Sequence, residues 1–121
     1  MAEAAGVYNR TTGALLARRV VRCETFLSRG RGLMFRRPLS EGEIYLFVLE
    51  RESKMDAAIH MFFVSFPIAV VWLDGQKRVV GTVLARPWRP CYAPPRPARY
   101  FLEGHPSLLE KVHPGDEIGI T

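Results

Sequence analysis

Residues 68–73, Ile68-Ala69-Val70-Val71-Trp72-Leu73, are consecutive apolar positions held between Pro67 and the pair Asp74-Gly75. A short apolar run without alternation fits a strand covered on both faces. Asp-Gly is a strong hairpin signal, and residues 78–84, Arg-Val-Val-Gly-Thr-Val-Leu, supply a returning strand. The chain must therefore accommodate a central β-hairpin, and the remaining segments are read against it.

Residues 14–23 mix apolar and basic positions around Val20 and Val21 and read as a strand exposed on one side. Thr25 is placed to cap a short helix that Gly30 or Gly32 ends. After a loop at 38–43, the aromatic and β-branched run 44–49 predicts a strand, and residues 50–56 a charged connection. Residues 58–64, which include His60, continue the apolar character and are expected to be extended. Residues 86–97 hold five of the nine prolines, so they predict a stiff surface loop rather than a ladder strand or a helix. Strands are expected again at 99–103 and 117–120, separated by a short helix at 106–112 with Pro106 in its first turn and by the turn Pro114-Gly115-Asp116. The predicted architecture is mainly β: a small mixed β-barrel or sandwich of about six to eight strands with two short helices. A length of 121 residues suits one domain spanning 1–121, with residues 1–13 as a loosely held N-terminal segment.

The two cysteines, Cys23 and Cys91, match neither a disulfide framework nor a zinc spacing, and the first residues lack the features of a signal peptide. A reduced, cytoplasmic protein is the expectation. Arginine supplies 14 of the 17 basic residues, and the net charge is +5. That balance allows an anionic partner. GC-rich coding produces the same composition.

Three segments resemble the domain-of-unknown-function 192 family of uncharacterised prokaryotic proteins. They are Gly32-Leu33-Met34-Phe35-Arg36, the stretch 60–74 with its proline ahead of an apolar strand ending at Asp74, and Ala98-Arg99-Tyr100-Phe101-Leu102-Glu103 followed by Pro114-Gly115-Asp116. They fall in the family's order and span residues 14–120. The resemblance implies a compact β-rich fold and no established activity. Ala69 stands where family members usually carry an acid, which implies that any site using that acid is altered here.

Candidate site residues are few. Arg36 is suited to an anionic ligand or to a structural pair with Glu103. His60, in an apolar setting, is either a ligand-binding residue or a hydrogen-bonded core histidine. Between Arg86 and Arg99 there are four arginines and no acid, interleaved with Trp88 and Tyr92 and followed by Tyr100. Arg86, Trp88 and Arg89 are therefore candidates for holding a small anionic ligand, a protein partner or single-stranded nucleic acid. The competing reading is a rigid loop that packs its own rings. No nucleophile elbow, phosphate loop or metal-ligand cluster is present, and no cofactor is expected. The sequence thus favours a non-enzymatic binding module. A hydrolase or isomerase using His60 and Glu103 is the alternative, and it requires both side chains in one pocket. A nucleic-acid binder using residues 86–99 is the second alternative.

Overall fold

The computed structural model describes residues 2–4 (backbone only), 6–23 and 38–121. Among these, nine strands form two sheets. The strands are β1 (Ala2–Ala4), β2 (Val7–Asn9), β3 (Leu15–Ala17), β4 (Arg19–Cys23), β5 (Glu43–Ser53), β6 (Ile68–Leu73), β7 (Val79–Ala85), β8 (Ala98–Gly104) and β9 (Ile118–Ile120). The larger sheet has the order β1-β4-β5-β8-β6-β7 and the smaller β3-β2-β9. β4 and β5 run parallel, and the other pairs are antiparallel. The sheets do not close into a barrel; the mainly β architecture is a sandwich.

The expected central hairpin is β6–β7, with Trp72 opposite Gly81 and Val70 opposite Val83. Asp74 Oδ1 accepts hydrogen bonds from the Gln76 and Arg78 amides, which shapes the turn. Every residue of β6 is buried because both sheet faces are covered. On one face, Val20, Ile44, Leu46, Val71 and Leu102 pack against the smaller sheet and Leu108. On the other, Phe47, Val70, Trp72 and Phe101 pack against Ile59, Met61, Val64 and Phe66 from the β5–β6 connection.

Four elements differ from expectation. Residues 14–23 break into β3 and β4, which belong to different sheets. β5 runs on through Glu50, Arg51 and Glu52. Residues 58–64 form no strand: both neighbours of β6 are already taken by β8 and β7, so this run lies across a sheet face instead of joining the ladder. Residues 106–112 carry a single 3-10 turn, Pro106–Glu110, capped by His105. The other expected helix, near Thr25, lies outside the described residues.

Within residues 1–13, read from the sequence as a loosely held segment, one strand joins the smaller sheet. Val7–Asn9 is the middle strand of the smaller sheet. The fully buried Asn9 amide donates to Lys111 O at 3.0 Å and to Asp116 Oδ2 at 2.8 Å, while its oxygen accepts from the Thr11 and Thr12 amides. Asp116 also accepts from the His113 amide. That bond, and then the Asn9 amide, lower the Asp116 pKa.

Candidate functional site

Two tight turns define the most distinctive surface of the molecule. In the first, the Val64 amide donates to Met61 O, and Phe63 at the third position has φ 61°. In the second, the Arg89 amide donates to Arg86 O, Pro87 occupies the second position, and Trp88 at the third has φ 65°. This is the pattern of a type II turn, whose third position favours glycine. An aromatic residue there carries about 1–2 kcal/mol of backbone strain.

The turns are stitched together by backbone hydrogen bonds. The Met61 amide donates to Arg89 O at 2.8 Å, and Met61 O accepts from the Trp88 amide at 2.9 Å. Ile59 and Tyr92 exchange a further pair of bonds. The inward residues of this ribbon, Ile59 and Met61, enter the core, and Tyr92 packs against it. Tyr92 also accepts the Arg86 amide on its hydroxyl. Pro95 closes on β7 at Gly81, where a Cβ would meet the proline ring at 2.6 Å. The loops are therefore held on a rigid sheet.

The outward residues are aromatic and basic. Phe62, Phe63 and Trp88 are 42%, 47% and 54% exposed. Phe63 meets Trp88 edge-on with centroids 5.2 Å apart, and His60 lies 5.3 Å from Phe62. Arg86 and Arg89 are exposed, and among the described residues no carboxylate pairs with either. No acid occurs in residues 57–73 or 86–99.

The individual candidates fall out as follows. Trp88, Arg86, Arg89 and His60 are brought to one surface. His60 is neither a strand residue nor a core histidine: it is exposed, and its Nδ1 accepts the Phe62 amide at 3.2 Å. Tyr92 and Tyr100 do not join the surface, because Tyr92 is half-buried beneath it and Tyr100 packs on the opposite face of the sheet. Phe62 and Phe63 were missed as site residues because an apolar run reads as core. Five of the six residues 61–66 are apolar, and nothing in the string separates the exposed Phe62 and Phe63 from the buried Met61, Val64 and Phe66.

Glu103 is separate. It stands on β8 between Tyr45 of β5 and Val70 of β6, only 7% exposed. Burial pushes its carboxyl pKa from 4.5 up to about 8. It is a neutral interior group at pH 7, and no contact joins it to the exposed His60. Arg36, its expected partner, lies outside the described residues. Ala69, which the family resemblance marked as a departure, is fully buried in the sandwich core opposite Gly104 and serves as apolar packing.

A shallow cleft opens on the sandwich side between Glu43, His105, Ser107 and Lys111. Glu43, His105 and Ser107 are already engaged. His105 Nδ1 accepts the Ser107 amide, and Glu43 accepts the Ser40 amide and lies 3.7 Å from Arg19. Among the described residues no group of three or more potential metal ligands occurs, and no helix is long and apolar enough to cross a membrane.

Comparison with known proteins agrees with this fold. The family model described as DUF192, uncharacterised ACR, matches residues 7–120. The protein TK1120 of Thermococcus kodakarensis, named only as UPF0127, is 38% identical over 117 residues, covering 95% of this chain and 73% of that protein. The UPF0127 protein PF1050 of Pyrococcus furiosus is 36% identical over 112 residues, covering 91% and 93% respectively. A crystal structure of a Novosphingobium aromaticivorans protein of unknown function superposes with a TM-score of 0.82 at 21% identity, covering 98% of this chain and 93% of that one.

Proposed function

Since the chain belongs to the DUF192 family of uncharacterised proteins, which carries no assigned activity, we propose from its surface alone that it is a binding module for an anionic partner. The contact surface is the stitched pair of turns bearing His60, Phe62, Phe63, Arg86, Trp88 and Arg89. One observation carries the reading: half-exposed rings sit at left-handed backbone positions, on loops without a single acid. Half-exposed rings leave apolar surface unburied in folding, and backbone strain that the surrounding structure over-determines is concentrated at working surfaces. Aromatic rings beside arginine forks are also what binding hot spots are made of. The cleft at His105 is on the opposite side of the larger sheet, so the module meets its partner with a projecting surface.

Trp88 is the exposed tryptophan and Trp72 the buried one, which makes intrinsic fluorescence a direct probe. Polyglutamate, a single-stranded oligonucleotide and anionic vesicles are titrated separately. At least one is expected to change Trp88 emission, and the response should vanish in the Arg86→Ala/Arg89→Ala double variant. If none of the three alters the emission, or the double variant responds like the wild type, the reading is wrong.

A further inference from the structure

We infer that the anionic partner is a single-stranded nucleic acid, gripped without sequence preference by Trp88 and Phe62 through base stacking and by Arg86 and Arg89 through phosphates. The inference rests on the binding reading above and narrows it. Its first support is the degree of exposure. Phe62 and Trp88 are each about half exposed, so each ring is anchored on the protein while part of it stays open to a stacking base. A side chain that inserts into a lipid surface stands clear of its protein, whereas Phe62 and Trp88 are only about half exposed.

The second support is charge complementarity. Arg86 and Arg89 flank Trp88 within one turn, and a single strand likewise alternates anionic phosphates with flat bases. The acid-free loops offer nothing that would repel a phosphate. The third is rigidity. The hydrogen bonds of Met61 to Arg89 and Trp88 fix the two turns relative to one another, so the platform exists before the strand arrives. Residues 57–73 and 86–99 hold no Asn, Gln, Asp or Glu to read base edges, so stacking and phosphate contacts dominate and the grip is tolerant of sequence. Bases in a duplex are already stacked on one another and would leave the rings unused.

The test is fluorescence anisotropy of a 5′-labelled dT12 strand at several salt concentrations, alongside a labelled duplex of equal length, labelled polyglutamate and anionic vesicles. The expected result is binding of the single strand in preference to the duplex. Two phosphate contacts predict a slope of log K against log salt near −1.4, at about −0.7 per phosphate on a single strand. Trp88→Gly, which suits the left-handed turn position, should weaken dT12 binding about tenfold, the effect of losing one stacked base. Arg89→Ala should flatten the salt slope by about one phosphate's share. The Trp72 emission and the unfolding midpoint of each variant confirm that it is folded. Equal or tighter binding of the duplex overturns the inference, as does a Trp88→Gly variant that is folded and binds dT12 like the wild type. If polyglutamate or vesicles bind through Arg86 and Arg89 while dT12 does not, the inference falls and the binding surface stands. If nothing binds, both fall.

Discussion

Replacing Glu103 by glutamine should change how stability depends on pH, and the size of the change follows from where the carboxyl sits. In the folded protein its pKa is about 8, against 4.5 when exposed, because burial between Tyr45 and Val70 disfavours the charge. Below pH 4.5 the group is protonated in both states and contributes no pH-dependent penalty. Between pH 4.5 and 8 the unfolded chain ionises while the folded protein keeps its proton, so stability falls as pH rises. Above pH 8 the penalty is complete. A pKa difference of about 3.5 corresponds to about 5 kcal/mol at ~1.4 kcal/mol each. That is a large share of the roughly 5–15 kcal/mol that holds a domain of this kind together. The amide of Glu103→Gln has nearly the same shape and no charge to gain. Urea unfolding followed by Trp72 emission should give the variant a stability near that of the wild type at pH 4.5. The variant should be more stable by several kcal/mol at pH 9, with the gap opening mostly between pH 5 and 8. A wild-type-to-variant difference that stays flat from pH 4.5 to 9 would refute the burial argument.

The remaining predictions concern the frame around the surface. Asn9→Ala should lower stability by about 2–4 kcal/mol in urea melts, since two donors and two acceptors lose their partner together. Asn9→Asp should be less stable than Asn9→Ala at pH 7 and recover in acid, because it sets a second carboxylate against Asp116; identical melts at pH 7 and pH 4 would contradict this. Gly81→Ala forces a methyl group onto the Pro95 ring and should cost about 1–3 kcal/mol, with an accompanying shift in Trp88 emission as the loop moves. Thiol titration of the native protein should find Cys91 reactive at once and Cys23 only after unfolding, as their exposed and buried positions require.

The candidate surface was half legible in the sequence. The prolines of residues 86–97 exclude a ladder strand wherever they occur, so a stiff loop carrying Arg86, Trp88 and Arg89 follows from composition alone. Its second half, His60 to Phe63, was hidden inside an apolar run that resembles a strand. Trp88, Tyr92 and Tyr100 look alike as a string of rings, yet only burial separates an exposed platform from a packed pin and a residue of the far face.

What the sequence by itself determined is local. Pro67 and Asp74-Gly75 bound an apolar β-branched run, and those residue preferences act over a few bonds, so the β6–β7 hairpin forms where they say. The tertiary structure decided the rest. Whether residues 58–64 pair as a strand depends on a vacant edge, and β8 and β7 leave β6 none; the run is laid over the sheet, Ile59, Met61 and Val64 enter the core, and its rings are turned out. Whether Glu103 carries a charge depends on the water left around it, which is set by strands far apart in the chain. Pairing and desolvation are both non-local, and no window of sequence contains them.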